Sequence, residues 1–143
     1  MTNQNKWIKG FKGIVIFAII WNILGVISYF FHTNMPTEEI AKLSEQEQLL
    51  YQNIPLWKTV SFAIATIGGL LGSVLLFLKK KVATIVLTLS LIGILVSFYY
   101  DFFKTNLLEI YGNGSLVFPL LVVLIGVFLV WYSNTIMTYK IVQ

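Results

Sequence analysis

The groups able to do chemistry in this chain are few, and they stand at the ends or in the middle of long apolar runs. His32 is the only histidine, and Asp101 the only aspartate. Tyr29 precedes His32 by one helical turn, and Tyr100 stands directly before Asp101. A carboxylate beside an imidazole can carry a proton or hold a polar solute, and aromatic rings are suitable walls for a sugar or a similar amphipathic ligand. Asn22 and Ser97 add an amide and a hydroxyl deeper in the same runs. On a helical wheel Ala18, Asn22, Gly25, Ser28, Tyr29 and His32 share an arc of about 120°. Ser90, Gly93, Ser97, Tyr100 and Asp101 fall within about 100° of one another. If these two polar faces meet, Tyr29 and His32 come close to Tyr100 and Asp101, with Glu109 and Tyr111 just beyond. Asn22, Tyr29, His32, Ser97, Tyr100 and Asp101 are therefore the candidate substrate-binding residues. Bland readings stand beside this one. Asn22 also fits an interhelical clamp, worth on the order of 1 kcal/mol. Asp101 lies only about 3 Å from the end of its run, where a carboxylate reaches headgroup water at little cost.

Much other chemistry is excluded. With no cysteine there is no disulfide framework, thiolate metal site or thiol nucleophile, and a lone histidine rules out bis-histidine haem and multi-histidine metal cages. No metal site and no cofactor is expected. An enzyme needs a nucleophile with its base, paired acids or a metal, and none of these is offered, so the chain reads as a non-enzyme. All ten basic residues are lysine, so the bidentate fork of arginine is missing, and the pI near 9.3 does not point to nucleic acid.

The elements that must position these groups are membrane spans. Of 143 residues 57% are apolar and 11% charged, and the mean hydropathy is +0.82. No soluble domain of this size hides so much apolar surface. A bilayer core of about 30 Å needs about 20 helical residues, and four segments supply them: 11–31, 56–78, 82–103 and 116–139. The first is too long for a signal peptide and lacks a cleavage site, so it is expected to stay as an anchor. The chain is expected to be one transmembrane domain, an all-α four-helix bundle.

Lysine-rich short loops stay cytoplasmic. Lys6, Lys9, Lys12, the Lys79-Lys80-Lys81 turn and Lys140 fall on one side without an acid, while all six acidic residues fall on the other. Both termini are thus expected inside, in a bacterial cytoplasmic (inner) membrane, with aromatic residues such as Trp7, Trp57, Tyr99 and Trp131 at the interfaces. The first outer connector predicts a helix over 37–51, capped by Thr37 and acidic in its first turn at Glu38 and Glu39, and ended by Asn53 and Pro55. It reads as a connector lying in the headgroup region or as a lid over the bundle mouth. Gly112-Asn113-Gly114 is a turn signal. Phe30-Phe31-His32-Thr33-Asn34 and Phe102-Phe103-Lys104-Thr105-Asn106 agree at four of five positions, a faint internal repeat.

Within lipid, small residues mark the faces that meet. Ser61, Ala65, Gly69 and Ser73 form a ladder at intervals of four residues, with Gly68 and Gly72 beside it, which reads as helix packing or as a backbone-lined solute path. Pro119, Gly126 and Ser133 make a similar stripe in the fourth run.

Trp21-Asn22 with Gly25 and Tyr29, then Met35-Pro36-Thr37-Glu38-Glu39, Leu49-Leu50-Tyr51, Pro55, Trp57, Phe62-Ala63-Ile64-Ala65 and Gly68-Gly69-Leu70-Leu71-Gly72 before the lysine turn form a combined pattern. It resembles a family of small bacterial four-span inner-membrane proteins, commonly hypothetical and sometimes labelled sugar transporters. The likeness covers roughly residues 21–131 and implies transport of a small polar solute, but transfers no binding residue. Two functions remain open. One is a transporter of such a solute, which needs a homo-oligomer because one copy of four helices encloses little volume. Its sign is a cavity open to the outer side between the first and third spans. The other is an accessory or scaffold subunit packed against other membrane subunits. Its signs are a small-residue face turned to lipid and polar arcs closed on one another.

Overall fold

A computed structural model describes residues 8–139, so Lys6, Trp7 and Lys140 of the orientation argument lie outside the described residues. Four long helices dominate: α1 (Phe11–Thr33), α4 (Leu56–Phe77), α5 (Ala83–Phe103) and α7 (Val117–Thr138). Their apolar windows have mean hydropathies of 2.0 to 2.6, and each is long enough to cross a membrane. Between them lie the short helices α2 (Thr37–Ile40), α3 (Glu45–Gln52) and α6 (Leu107–Tyr111), and a 3-10 turn at Asn113–Leu116. No strand occurs among the described residues. The chain is a polytopic, all-helical membrane protein.

The span boundaries differ from those read in the sequence by one or two residues, for local reasons. α1 continues to Thr33, whose hydroxyl bonds back to the Tyr29 carbonyl at 2.8 Å, and the Asn34 amide side chain closes on the Phe30 carbonyl at 3.0 Å. At the end of α5, Thr105 bonds back to the Asp101 carbonyl in the same way. Thr33 and Thr105, at matching places in the shared Phe-Phe-x-Thr-Asn pattern, thus make the same bond at the two span ends. α4 stops in a Schellman turn, in which Lys80 N–H reaches Leu75 O and Lys79 N–H reaches Leu76 O, both at 2.9 Å. Lys79 takes the left-handed conformation, with φ 57°.

The connector from α1 to α4 departs most from expectation. Instead of one helix over 37–51 it holds two, broken at 41–44. Pro36, not Thr37, occupies the cap position of α2, and no side chain caps it. Ser44 is the true signal: its hydroxyl accepts from Glu47 N–H while the Glu47 carboxylate accepts from Ser44 N–H, a complete capping box that starts α3 afresh.

The long helices pack in chain order, α1 on α4, α4 on α5 and α5 on α7. α4 therefore carries the main contacts to both α1 and α5, and the inner parts of the polar faces of α1 and α5 converge over Gly69, while Tyr29 and His32 stay apart from Tyr100 at the acidic end. The small-residue ladder explains this order. Ala65, Gly69, Gly72 and Ser73 are buried, and Asn22 of α1 and Ser90 of α5 converge on the space that a Cβ at Gly69 would take. Gly93 of α5 returns the arrangement: a Cβ there would come within 2.8 Å of Ser61 O and 2.9 Å of Ala65 N, both unyielding backbone atoms. The ladder faces inward, not toward lipid.

The seam between α1 and α7 is closed by side chains at one end only. At the lysine-turn end Phe11 stacks on Tyr132 at 6.5 Å, within a continuous core that includes Val15, Leu76, Leu87, Leu129 and Ile136. Toward the acidic end the seam is bridged more thinly, by Trp21 against Phe118 at 6.2 Å.

Candidate functional site

The candidate residues fall into two places, an intramembrane cavity and a polar cluster at the acidic end of the bundle. The cavity lies among all four long helices and has a volume of about 280 Å³. Apolar walls come from Trp21, Leu24, Phe98, Phe118, Val122 and Ile125, and polar groups from Asn22, Ser28, Thr66, Ser90 and Ser97. Three of the five polar side chains are already engaged. Asn22 donates to the Ala18 carbonyl at 2.8 Å and to Ser73 Oγ at 3.1 Å, and Ser73 in turn donates to the Gly69 carbonyl at 2.8 Å. Thr66 donates to the Phe62 carbonyl at 2.9 Å and Ser90 to the Ala65 carbonyl at 2.6 Å. These bonds tie α1 to α4 and α5 to α4, so Asn22 has the geometry of a clamp while its amide also borders the cavity. Ser28 and Ser97 have no hydrogen-bond partner among the described residues, although Ser97 is only 3% exposed.

The cluster at the acidic end is organised by a residue that sequence reading counted only as a charge. Lys58, 5% exposed, forms an ion pair with Asp101 at 3.0 Å. Its ammonium also stands 5.1 Å from the centre of the Phe62 ring, a cation–π contact. The signal was present in the register: Lys58 lies 22 residues before Lys80 and Asp101 lies 21 after it, and a tight antiparallel hairpin brings equal distances to the same level.

Phe62 is the hub. Tyr29 meets it edge-on at 5.4 Å and His32 at 5.8 Å, while Phe62 also lines the cavity. His32 packs on the other side against Tyr51 of α3 at 5.1 Å. Tyr100 lies on the opposite flank of α4, edge-on to Trp57 at 5.3 Å, with its hydroxyl donating to the Asn53 carbonyl at 2.9 Å. So Tyr29 and His32 share one aromatic group, Tyr100 belongs to another, and Asp101 reaches the first through Lys58. Ser97 and Asn22 belong to the cavity.

Above this cluster α3 is strapped across the bundle end. Tyr111 donates to Glu47 Oε1 at 2.7 Å, joining α3 to α6. That bond, with the hydroxyl and amide of Ser44, holds the Glu47 carboxyl below its usual range. Burial first, and then the bond to Glu47, push the Tyr111 phenol up to about 12. Burial also raises Tyr51, helped by the nearby Glu47 charge. A second, more polar recess of about 320 Å³ lies beside the strap, among Gln46, Asn53, Lys104, Asn106 and Glu109.

Among the described residues no three of His, Cys, Asp and Glu gather in a way that could hold a metal ion. No family model, curated protein or solved structure matches this chain. Its function is therefore argued from the geometry above.

Proposed function

We propose that this polytopic membrane protein binds a small solute in the cavity between its spans and serves as a transporter subunit, working as a homo-oligomer. The reading places it in a bacterial cytoplasmic membrane with both termini inside, an orientation supported by the segregation of lysines from acids. The cavity carries the proposal. Four long helices packed in chain order leave about 280 Å³ between them at the level of Asn22 and Ser97, where close packing would be the default. The role is binding rather than bond-making, since Lys58 and Asp101 spend their charges on each other. The resemblance noted in the sequence would make the solute a sugar. The lining supports a ligand with fewer polar groups, because only Ser28 and Ser97 offer uncommitted hydroxyls.

The accessory-subunit reading keeps one observation, the closure of polar groups from α1 and α5 onto α4 through Asn22, Ser73 and Ser90. Its other sign, a small-residue face turned to lipid, is not found among the described residues.

The cysteine-free chain allows a direct test. In Ser97→Cys, alkylation of the introduced thiol by a membrane-permeant maleimide is followed with and without a panel of mono- and disaccharides and of more apolar alcohols. Protection by one class, together with counterflow of that solute in proteoliposomes, is the expected result. If no solute protects and the protein is extracted in fixed ratio with other subunits, the accessory reading replaces this one.

A further inference from the structure

The cavity has walls of unequal kind, and the difference says from where a ligand comes. At the lysine-turn end it is stopped by the buried core of Leu87, Leu129 and Tyr132. Toward the acidic end Phe62 stands across it on the α4 side, held from behind by Tyr29, His32 and Lys58. Lining residues from α4 and α5 are buried or half-buried, whereas Leu24 of α1 is 58% exposed and Phe118 of α7 is 64% exposed. The open side is therefore the α1/α7 seam, which faces the acyl chains of the bilayer.

The chemistry of the lining narrows the ligand further. No charged side chain borders the cavity, and the nearest charges, Lys58 and Asp101, neutralise each other behind Phe62. An ionised head would lose its hydration without a partner. A sugar would bury several hydroxyls against two free ones. One polar group does find a partner: the hydroxyl of Ser97, a residue 3% exposed that lines the cavity, has no partner of its own among the described residues. No buried side-chain nitrogen or oxygen among the described residues lacks a partner, so the uncommitted Ser97 hydroxyl is open to the cavity, where a ligand atom can satisfy it. The volume, about 280 Å³, is roughly twice the 150 Å³ apolar cavity that accommodates benzene.

We infer that the crevice admits one uncharged, single-chain amphipath from the lipid phase, its chain lying between Trp21, Leu24, Phe118 and Val122 and its hydroxyl or carbonyl head on Ser97. The inference rests on the solute-binding role proposed above and names the substrate class of that site.

The test uses the full chain in phosphatidylcholine nanodiscs and a monoacylglycerol bearing a diazirine in a medium-length chain as the probe. Photolabelling should be saturable, map to Trp21, Leu24, Phe118 and Val122, and be competed by unlabelled monoacylglycerol but not by the ionised fatty acid of the same chain. Filling the crevice with Val122→Phe, or with the smaller Val122→Leu should the first variant fold poorly, should lower labelling by about tenfold or more. Ser97→Ala should weaken the monoacylglycerol about fivefold, the value of one hydrogen bond, and leave the headless alkyl diazirine of the same chain unaffected. Label spread over lipid-facing positions such as Phe17, Ile85 and Leu95 without competition would be annular lipid and would overturn the inference. So would crosslinks between two copies at the seam, or equal competition by the fatty acid. If the monoacylglycerol fails while a saccharide protects the thiol of Ser97→Cys, the solute-binding role stands and this substrate class falls. Failure of both removes both.

Discussion

The two ends of the bundle are built on different physics. At the lysine-turn end Val15, Leu76, Tyr132 and Ile136 are completely buried, and the helices meet chiefly through interlocking apolar side chains, with one hydroxyl pair, Thr84 and Ser133 at 2.6 Å, between α5 and α7. At the acidic end they are tied by an ion pair, an aromatic hub and two tyrosine hydroxyls that reach across to α3 and its flanking residue Asn53. Since lipid tails are as apolar as leucine, close packing holds membrane helices together only where shapes fit. Where the helices diverge enough to leave a cavity, directional polar contacts must fix their spacing. The contrast separates a part of the molecule that is rigid by contact from one whose bonds can be exchanged singly.

The largest disturbance is expected at the packed contact between α4 and α5. Gly93→Val places methyl groups against the backbone of Ser61 and Ala65, and should cost about 3 kcal/mol or more, read as loss of monodisperse protein after extraction. A well-folded Gly93→Val protein would show that α4 and α5 separate easily there.

At the acidic end, Asp101→Asn leaves the Lys58 ammonium without its counter-charge. Breaking a fully buried pair costs about 3–5 kcal/mol, but Asp101 is 22% exposed and lies near the span end, so about 2 kcal/mol is expected in thermal unfolding. Replacing both partners, Lys58→Met with Asp101→Leu, should recover most of that loss. Failure to recover would mean that the charges serve more than mutual neutralisation.

Asn22→Leu tests the region where the two regimes join. Loss of the amide's bond to Ser73 should cost about 1 kcal/mol, with folded protein still recovered. Unchanged stability together with unchanged solute protection of Ser97→Cys would remove both the clamp and the ligand-contact roles of Asn22.

The smallest effect is at the strap. Tyr111→Phe should leave the melting temperature unchanged and speed amide exchange in α3. The pH dependence has a defined sign. Glu47 is held below its ordinary value of 4.5, so the contacts that hold it stabilise α3 above that value and are lost as pH falls through the lowered one. In Tyr111→Phe the release of α3 should shift to higher pH. Exchange that is independent of pH across the acid range would show that Glu47 does not secure the strap.

Hydropathy and lysine placement made the four spans legible almost to the residue, because length and apolarity are properties of each segment alone. The small-residue ladder also announced a contact face. What it could not give was the partner, since Gly69 serves α1 and α5 at once and no sequence period encodes that order. The connector was misread for a similar reason: Ile40, Leu43 and Leu50 suggested a continuous helix, yet a local capping box at Ser44 and Glu47 outweighed the period. The importance of Lys58 was hidden because a lysine one turn into a span looks interfacial until the hairpin register sets it opposite Asp101.

The lysine turn also bears on the order in which the molecule assembles. α4 and α5 are joined by the short turn at Lys79, Lys80 and Lys81, and pairing them closes a far shorter loop than pairing α1 with α4 across the acidic connector. The α4–α5 hairpin is expected to form early, with α1 and α7 docking later on its opposite flanks. The α1/α7 seam, made only after both outer helices have arrived, is then the last joint to close and the first to reopen.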